Sequence, residues 1–307
     1  MKNYSTILSK SRIEMIHFLR EEMPVPTAVN PYYEQTKQIV DTWASEFNNK
    51  ELNELVLWDV ALCTSTLHPQ AKPKVQKNIA WVYYIFSAVD ELLEDLSNNG
   101  RYEEAREIVK KIYQWDYPFW NLAQSAIEDM RPGTRKRFFD YYFDTIAAVV
   151  TLREKLNEGS ITVEEFYKLR SDDLHTFSCL TLFEYEHDLD ITDEELDHQL
   201  VKDILYHTVV LSWLHNDIVS FDRDIAHNNR ANLLYVLTNG NYGDQLPEAK
   251  ADILQRFFDE RDLLLKLAQE AADSKELSDN AKTMCRLAPT WAAGYFEWSK
   301  FSKRYVV

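Results

Sequence analysis

The chain has 307 residues, 45% of them hydrophobic and only 6 glycines, enough apolar material for a sizeable core built from long elements with few sharp turns. Its formal charge of −16 argues against a broad nucleic-acid surface, so an anionic ligand needs local arginines or bridging metal ions. Cys63, Cys179 and Cys285 form no CxxC pair, and no apolar run approaches the roughly 18 residues of a membrane span, so disulfide frameworks, zinc ribbons and stable membrane insertion are not suggested. The amino terminus lacks the basic and apolar regions of a secretory signal, which makes a cytoplasmic protein the default expectation.

In chain order, residues 1–30 lead into a stretch punctuated by Pro24, Pro26 and Pro31, read as an arm packing on the body. Helical periodicity follows over 31–48, 51–66, 74–98, 102–114, 118–130 and 133–158, with breaks such as Asn98-Asn99-Gly100 and Arg131-Pro132-Gly133. Ser160 to Glu165 reads as a helix start with Thr162 and Glu165 at capping-box spacing. That helix is expected to reach about Arg170, because Ser171-Asp172-Asp173 compete for local backbone hydrogen bonds and favour a break near 171–174. Further patterns run to His187, from Val201 to Asp224, and over 248–272 and 278–303. No alternating strand pattern, repeat or linker interrupts them, so 31–307 is expected to be one all-α domain.

Two constellations carry candidate chemistry. Asp90-Glu91-Leu92-Leu93-Glu94-Asp95 closes an apolar and aromatic run, and Asp90 and Glu94 lie one helical turn apart. Crowded carboxylates repel unless a cation sits between them, although a solvated acidic helix end has the same pattern. Further on, Asn216, Ser220 and Asp224 stand at i, i+4 and i+8, so three oxygen-bearing side chains share one helical face. All three are hard ligands of the kind Mg²⁺ accepts, and an internal hydrogen-bond network is the alternative. If the two helices are antiparallel neighbours, both sets flank one cavity.

Taken together the two motifs resemble those of class I terpene synthases of the single-domain microbial type. In that family an aspartate-rich motif faces an NDxxSxxxE motif. Here they read Asp90-Glu91-Leu92-Leu93-Glu94 and Asn216-Asp217-Ile218-Val219-Ser220-Phe221-Asp222-Arg223-Asp224. Arg170 lies 46 positions before Asn216, where the family has a diphosphate-sensing arginine, and the chain ends with Trp298 ahead of Arg304-Tyr305. Arg223 falls where the family usually has a basic residue, and Asn232 sits in a familiar context downstream. The similarity spans about residue 81 to the end.

The resemblance implies a single-domain antiparallel helical bundle with a central cavity, and a reaction in which a prenyl diphosphate ionises and its carbocation cyclises. Farnesyl diphosphate is the favoured substrate, giving a sesquiterpene; geranylgeranyl diphosphate and a diterpene come next. Three Mg²⁺ ions are implied, with Mn²⁺ as substitute, held by Asp90 and Glu94 on one side and Asn216, Ser220 and Asp224 on the other. Glu91 and Asp95 are the less certain ligands, since glutamates replace two aspartates of the common motif, and Asp224 is one methylene shorter than the usual glutamate. Arg170, Arg223, Arg304 and Tyr305 are expected on the diphosphate. Asp173 is expected to link Arg170 to Leu174, whose carbonyl would face the cation. Phe86, Phe177, Phe183, Trp213 and Trp298 are the candidate cavity aromatics, Phe86 first because it precedes Asp90 by one turn. The resemblance leaves room for a homodimer. A chain-elongating prenyltransferase would carry a second DDxxD, which Asp172-Asp173 does not complete, and a non-catalytic helical scaffold would not require these ordered motifs.

Overall fold

The computed structural model describes residues 5–47, 49–118, 120–159 and 161–305, and every regular element among them is helical. Met1 to Tyr4 of the expected arm, Ser160 of the expected helix start, and Asn48 and Phe119 of the helical patterns lie outside the described residues. The elements are α1 (Ser5–Leu8), α2 (Arg12–Glu21), α3 (Tyr33–Ser45), α4 (Lys50–Leu57), α5 (Val60–Leu67), α6 (Pro73–Asn98), α7 (Tyr102–Tyr113) and α8 (Trp120–Ala126). They continue with α9 (Pro132–Glu158), α10 (Val163–Asp173), α11 (Thr176–His187), α12 (Asp193–Asp197), α13 (Gln199–Ala226), α14 (Leu233–Thr238), α15 (Leu246–Asp273) and α16 (Asp279–Ser299).

Helix α13 is the axis of the bundle. It buries side chains on every face, from Val201 through Trp213 to Asp224, which is the signature of a helix enclosed by others rather than lying on a surface. It packs against α10, α11, α14, α15 and α16, while α6 packs against α3, α4, α5, α8 and α9 on the far side. Between these two groups lies a cavity walled by α5, α6, α11 and α16. The close approach of α16 to α5 depends on Gly294, where a Cβ would stand 2.3 Å from the Thr66 carbonyl oxygen.

Three local features depart from the sequence reading. The pattern over 51–66 is two helices, because Asp59 adopts φ 55° and caps α5 by accepting a hydrogen bond from Leu62 N at 3.1 Å. The Trp58 and Asp59 carbonyls at this break accept from Trp298 Nε1 at 3.1 and 3.0 Å. Within the expected arm, Ser11 and Glu14 form a capping box for α2, which buries Met15, Ile16 and Leu19. Finally, α10 begins with the Thr162 and Glu165 capping box but continues past Arg170 to Asp173. Ser171 Oγ donates back to Tyr167 O (2.7 Å), a bond a continuing helix accommodates, and Asp173 turns to arginines instead of the backbone. The break falls at Leu174 and His175, the latter at φ 58°.

Candidate active site

The cavity has an apolar chamber and a charged vestibule. Leu67, Val82, Phe86, Leu182 and Trp291 are among the chamber walls, and Lys50, Glu54, Glu94, Asp95, Asp222 and Arg223 are among those of the vestibule. Trp58, Glu91 and Arg304 border both and so form the threshold. Two of the three cysteines, Cys63 and Cys179, line the chamber, where burial pushes both thiols up.

At the end of α13 the expected face is assembled. Ser220 Oγ donates to Asp224 Oδ2 at 2.6 Å and lies 3.5 Å from Asn216 Oδ1. Asn232 Nδ2, from the cap of α14, donates to the same Asp224 oxygen at 2.9 Å. Asn216 Nδ2 donates to the hydroxyls of Tyr295 and Tyr305, each at 2.9 Å, and these hydroxyls are 2.8 Å apart. Tyr305 is 1% exposed and Trp298 is 5% exposed, so the carboxyl-terminal segment through Tyr305 is packed rather than frayed.

Across the chamber the acidic residues of α6 have separate fates. Glu91 accepts from Arg304 Nη1 and, at 3.2 Å, from Arg223 Nη2. Both guanidinium groups also lie over the Trp58 ring, at 4.5 and 5.2 Å from its centroid. Burial alone would push the Glu91 carboxyl up, but Arg304 and Arg223 hold it below the ordinary glutamate value. Glu94 accepts from Arg153 Nη2; burial, together with Asp90 and Glu91, pushes its carboxyl up to about 8 against the pull of Arg153. Asp95 is exposed in the vestibule. Asp90 Oδ1 is buried and accepts no hydrogen bond, although His175 Nε2 is 3.3 Å away.

Arg170 is 3% exposed. It donates to Asp217 Oδ1 at 2.7 Å, to Asn216 Oδ1 at 3.0 Å and to Asp173 Oδ2. Burial would lower its guanidinium pKa, yet Asp217 and Asp173 outweigh that and hold it above its ordinary value. Asp173 completes the link by accepting from Arg153 Nη1 at 2.6 Å. A continuous chain of hydrogen-bonded carboxyl and guanidinium groups therefore runs Glu94, Arg153, Asp173, Arg170, Asp217, joining α6 to α13.

Among the described residues, no trio of His, Cys, Asp or Glu is gathered closely enough to hold a metal ion. The donors instead combine a carboxylate with amide and hydroxyl oxygens on α13, and the unsatisfied Asp90 oxygen belongs to a residue of α6 that lines the chamber together with Asn216. Such oxygen donors fit a hard divalent cation.

The expected aromatics divide. Phe86 lines the chamber, stacked on Tyr142 with centroids 3.8 Å apart, and Trp298 lines it too. Phe177 instead stacks on Tyr141 (5.6 Å) beside an outer groove. Phe183 is buried against His68 (5.3 Å), and neither it nor Trp213 is among the chamber's lining residues. Trp213 is enclosed by Phe166 and Tyr167, with Nε1 donating to Ser171 Oγ at 3.3 Å. Helical spacing identifies aromatics on an inward face, but several inward faces here meet other helices rather than the chamber. Tyr83, Trp291 and Tyr295 line it as well, with no motif to mark them. No sequence motif marks Arg153 or Trp58 either, and Asp217 occupies a spacer position of the second motif.

A family model described as terpene synthase family 2, C-terminal metal binding, matches residues 83–262. The chain belongs to this terpene synthase family. The (+)-eremophilene synthase of Gibberella fujikuroi is 22% identical over 254 residues, covering 76% of this chain and 71% of that protein. Sesquiterpene synthase Agr1 of Cyclocybe aegerita is 23% identical over 272 residues, covering 80% and 73%. Among solved structures, a-eudesmol synthase superposes with a TM-score of 0.72 at 16% identity, covering 90% of this chain and 97% of that one. The bundle thus has the helical fold of class I terpene synthases, and no described helix is long and apolar enough to cross a membrane.

Proposed function

We propose that this terpene synthase is Mg²⁺-dependent, that it ionises farnesyl diphosphate, and that it cyclises the resulting cation to a sesquiterpene with release of diphosphate, as a carbon–oxygen lyase. The observation that carries this reading is the polarity of one cavity: Asp90, Glu91, Asn216, Arg223 and Arg304 gather about the mouth of a mostly apolar chamber, with Arg170, Ser220 and Asp224 directly behind Asn216. The named function of sesquiterpene synthase Agr1 favours the farnesyl chain length. We also take residues 1–30 as an arm and 31–307 as the catalytic unit.

In this reading Arg170, Arg223 and Arg304 bind the diphosphate oxygens with planar guanidinium forks, and the Tyr305 hydroxyl adds a hydrogen bond. Asn216, Ser220 and Asp224 on α13 and Asp90 on α6 would hold the ions, with Glu91, Glu94 and Asp95 engaged by rearrangement at most. Bound Mg²⁺ supplies Lewis-acid stabilisation of the charge that builds on the departing oxygens. When the carbon–oxygen bond breaks, its electron pair leaves with diphosphate, and the allylic cation remains among mostly apolar walls. The faces of Phe86 and Trp298 attract that cation without bonding to it, and Leu174, at the helix break, presents its carbonyl.

Purified protein with Mg²⁺ and separately supplied geranyl, farnesyl and geranylgeranyl diphosphates, followed by gas chromatography of the extracts, tests the proposal. A cyclic sesquiterpene from farnesyl diphosphate is the expected result. Cyclic diterpenes alone would move the substrate to geranylgeranyl diphosphate. Longer linear diphosphates appearing only with added isopentenyl diphosphate would replace cyclisation by chain elongation, and no diphosphate release from any substrate would defeat both.

A further inference from the structure

Behind the wall of the chamber lies a buried pair that the reaction as drawn does not use. His68, at the end of α5, is 0% exposed, and its Nδ1 is 2.9 Å from Oε2 of Glu186, whose side chain is 1% exposed. The other Glu186 oxygen accepts from Gln70 N at 3.0 Å. An ionised carboxylate only accepts, so Glu186 fixes the proton of the neutral imidazole on Nδ1 and leaves Nε2 as an acceptor. Nε2 is 3.5 Å from the hydroxyl of Tyr83, and Tyr83 is a wall of the chamber. Burial pushes the Tyr83 phenol well up, so the hydroxyl keeps its proton at rest.

This wall is at the deep end. Tyr83 precedes Asp90 by two turns of α6, about 10 Å along the helix. On α11, Leu182 lies two turns past His175, the neighbour of Asp90, and lines the chamber with Tyr83. The proposed reaction holds the departing diphosphate at the mouth, so diphosphate is badly placed to take a proton from carbon here. A cation that ends as a hydrocarbon must lose a proton from a carbon beside its charge. A phenol oxygen can accept so acidic a proton, but a phenol left positively charged in a mostly apolar wall is costly. The neighbouring imidazole removes that cost, because its charged form lies against a carboxylate.

We propose that Tyr83, His68 and Glu186 form a proton relay that ends the reaction at the deep end of the chamber. The C–H bond beside the cationic carbon breaks, and its electron pair becomes the last double bond. The proton goes to the Tyr83 oxygen as the hydroxyl's own proton passes to His68 Nε2. The imidazolium rests against Glu186 until water takes the proton after the product has left. Tyr83 is the catalytic residue, and His68 and Glu186 act through it. The relay rests on the cyclisation proposed above, and it makes the product a hydrocarbon whose last double bond is set by where Tyr83 stands.

The test follows diphosphate release and the composition of the hydrocarbon extract for wild type, Y83F, H68N and the double variant supplied with farnesyl diphosphate and Mg²⁺. Y83F should lower formation of the wild-type olefin on the order of 10²-fold, the lower end of what general-base catalysis supplies, while diphosphate release falls less and other olefins or alcohols of the same cation appear. H68N alone should shift the composition the same way. In the Y83F background it should shift it less than about twofold, since residues that act through one another are not additive. Equal shifts in both backgrounds would mean that His68 only shapes the wall, and would overturn the relay. So would Y83F that keeps the wild-type olefin as its main product, Y83F that releases no diphosphate, or a wild-type product that is an alcohol. Should H68N not fold, E186Q takes its place: it keeps an acceptor for Nδ1 but removes the charge, with the same non-additivity expected and additivity again fatal. Wild type that cyclises farnesyl diphosphate while the cycle is additive loses the relay alone. Wild type that forms no cyclic product loses both the relay and the proposed reaction.

Discussion

The acidic end of α6 and the polar end of α13 face one another, and they reach their resting states by opposite means. On α6, Glu91 and Glu94 are each held by arginine, and of these three carboxylates Asp90 alone keeps a buried oxygen without a hydrogen bond. On α13, Asn216, Ser220 and Asp224 are tied to one another and to Asn232, Tyr295 and Tyr305 through hydrogen bonds that include one carboxylate, with a single guanidinium, Arg170, on Asn216. Crowded carboxylates in a low-dielectric site need positive charge at once, so the fold supplies guanidinium. Amide and hydroxyl groups need only hydrogen-bond partners, so their geometry is set before any ligand arrives. The α6 side is held by arginines throughout; the α13 side adds one arginine, on Asn216, to a network of mostly neutral groups.

The contrast can be broken from the α13 side first. Asn216→Leu removes the acceptor for Arg170 and the donor for both tyrosines, and it should lower kcat/KM on the order of 10²–10³-fold, as loss of one preorganised polar contact does elsewhere. Steady-state turnover would reveal it, and a variant with full activity would remove α13 from the reaction. Next comes Glu91→Gln on α6, which leaves Arg223 and Arg304 adjacent without the carboxylate between them. It should cost about 3 kcal/mol of stability in denaturant unfolding, the lower end for a broken buried pair, with inorganic diphosphate restoring much of the loss. If added diphosphate gave the variant no larger gain than wild type, the arginines would not be diphosphate-binding groups. The smallest effect is expected from Asp224→Glu. The longer side chain has the family's usual length but must keep the bonds from Ser220 and Asn232, so activity should change by less than about tenfold. A larger loss would show that the Asp224 geometry is specific to this chain.

Much of the outline was legible in the residues. Periodicities of 3.6, the Thr162 and Glu165 capping box and the scarcity of glycine lead to an all-α bundle, and i, i+4, i+8 spacing alone puts Asn216, Ser220 and Asp224 on one face. These are local properties: a helix fixes which of its own side chains are neighbours whatever surrounds it. What only the tertiary structure decided was the partner of each group. The sequence could not show that Glu94 meets Arg153, 59 positions away, or that Glu91 lies between Arg223 and Arg304, 132 and 213 positions away. Nor could it tell that Phe86 faces the chamber while Trp213 is packed against Phe166 and Tyr167. Both are inward-facing aromatics on amphipathic or buried helices, and burial by itself does not distinguish a wall of the cavity from the core behind it. That difference arises only when separate helices pack and leave space between some of them.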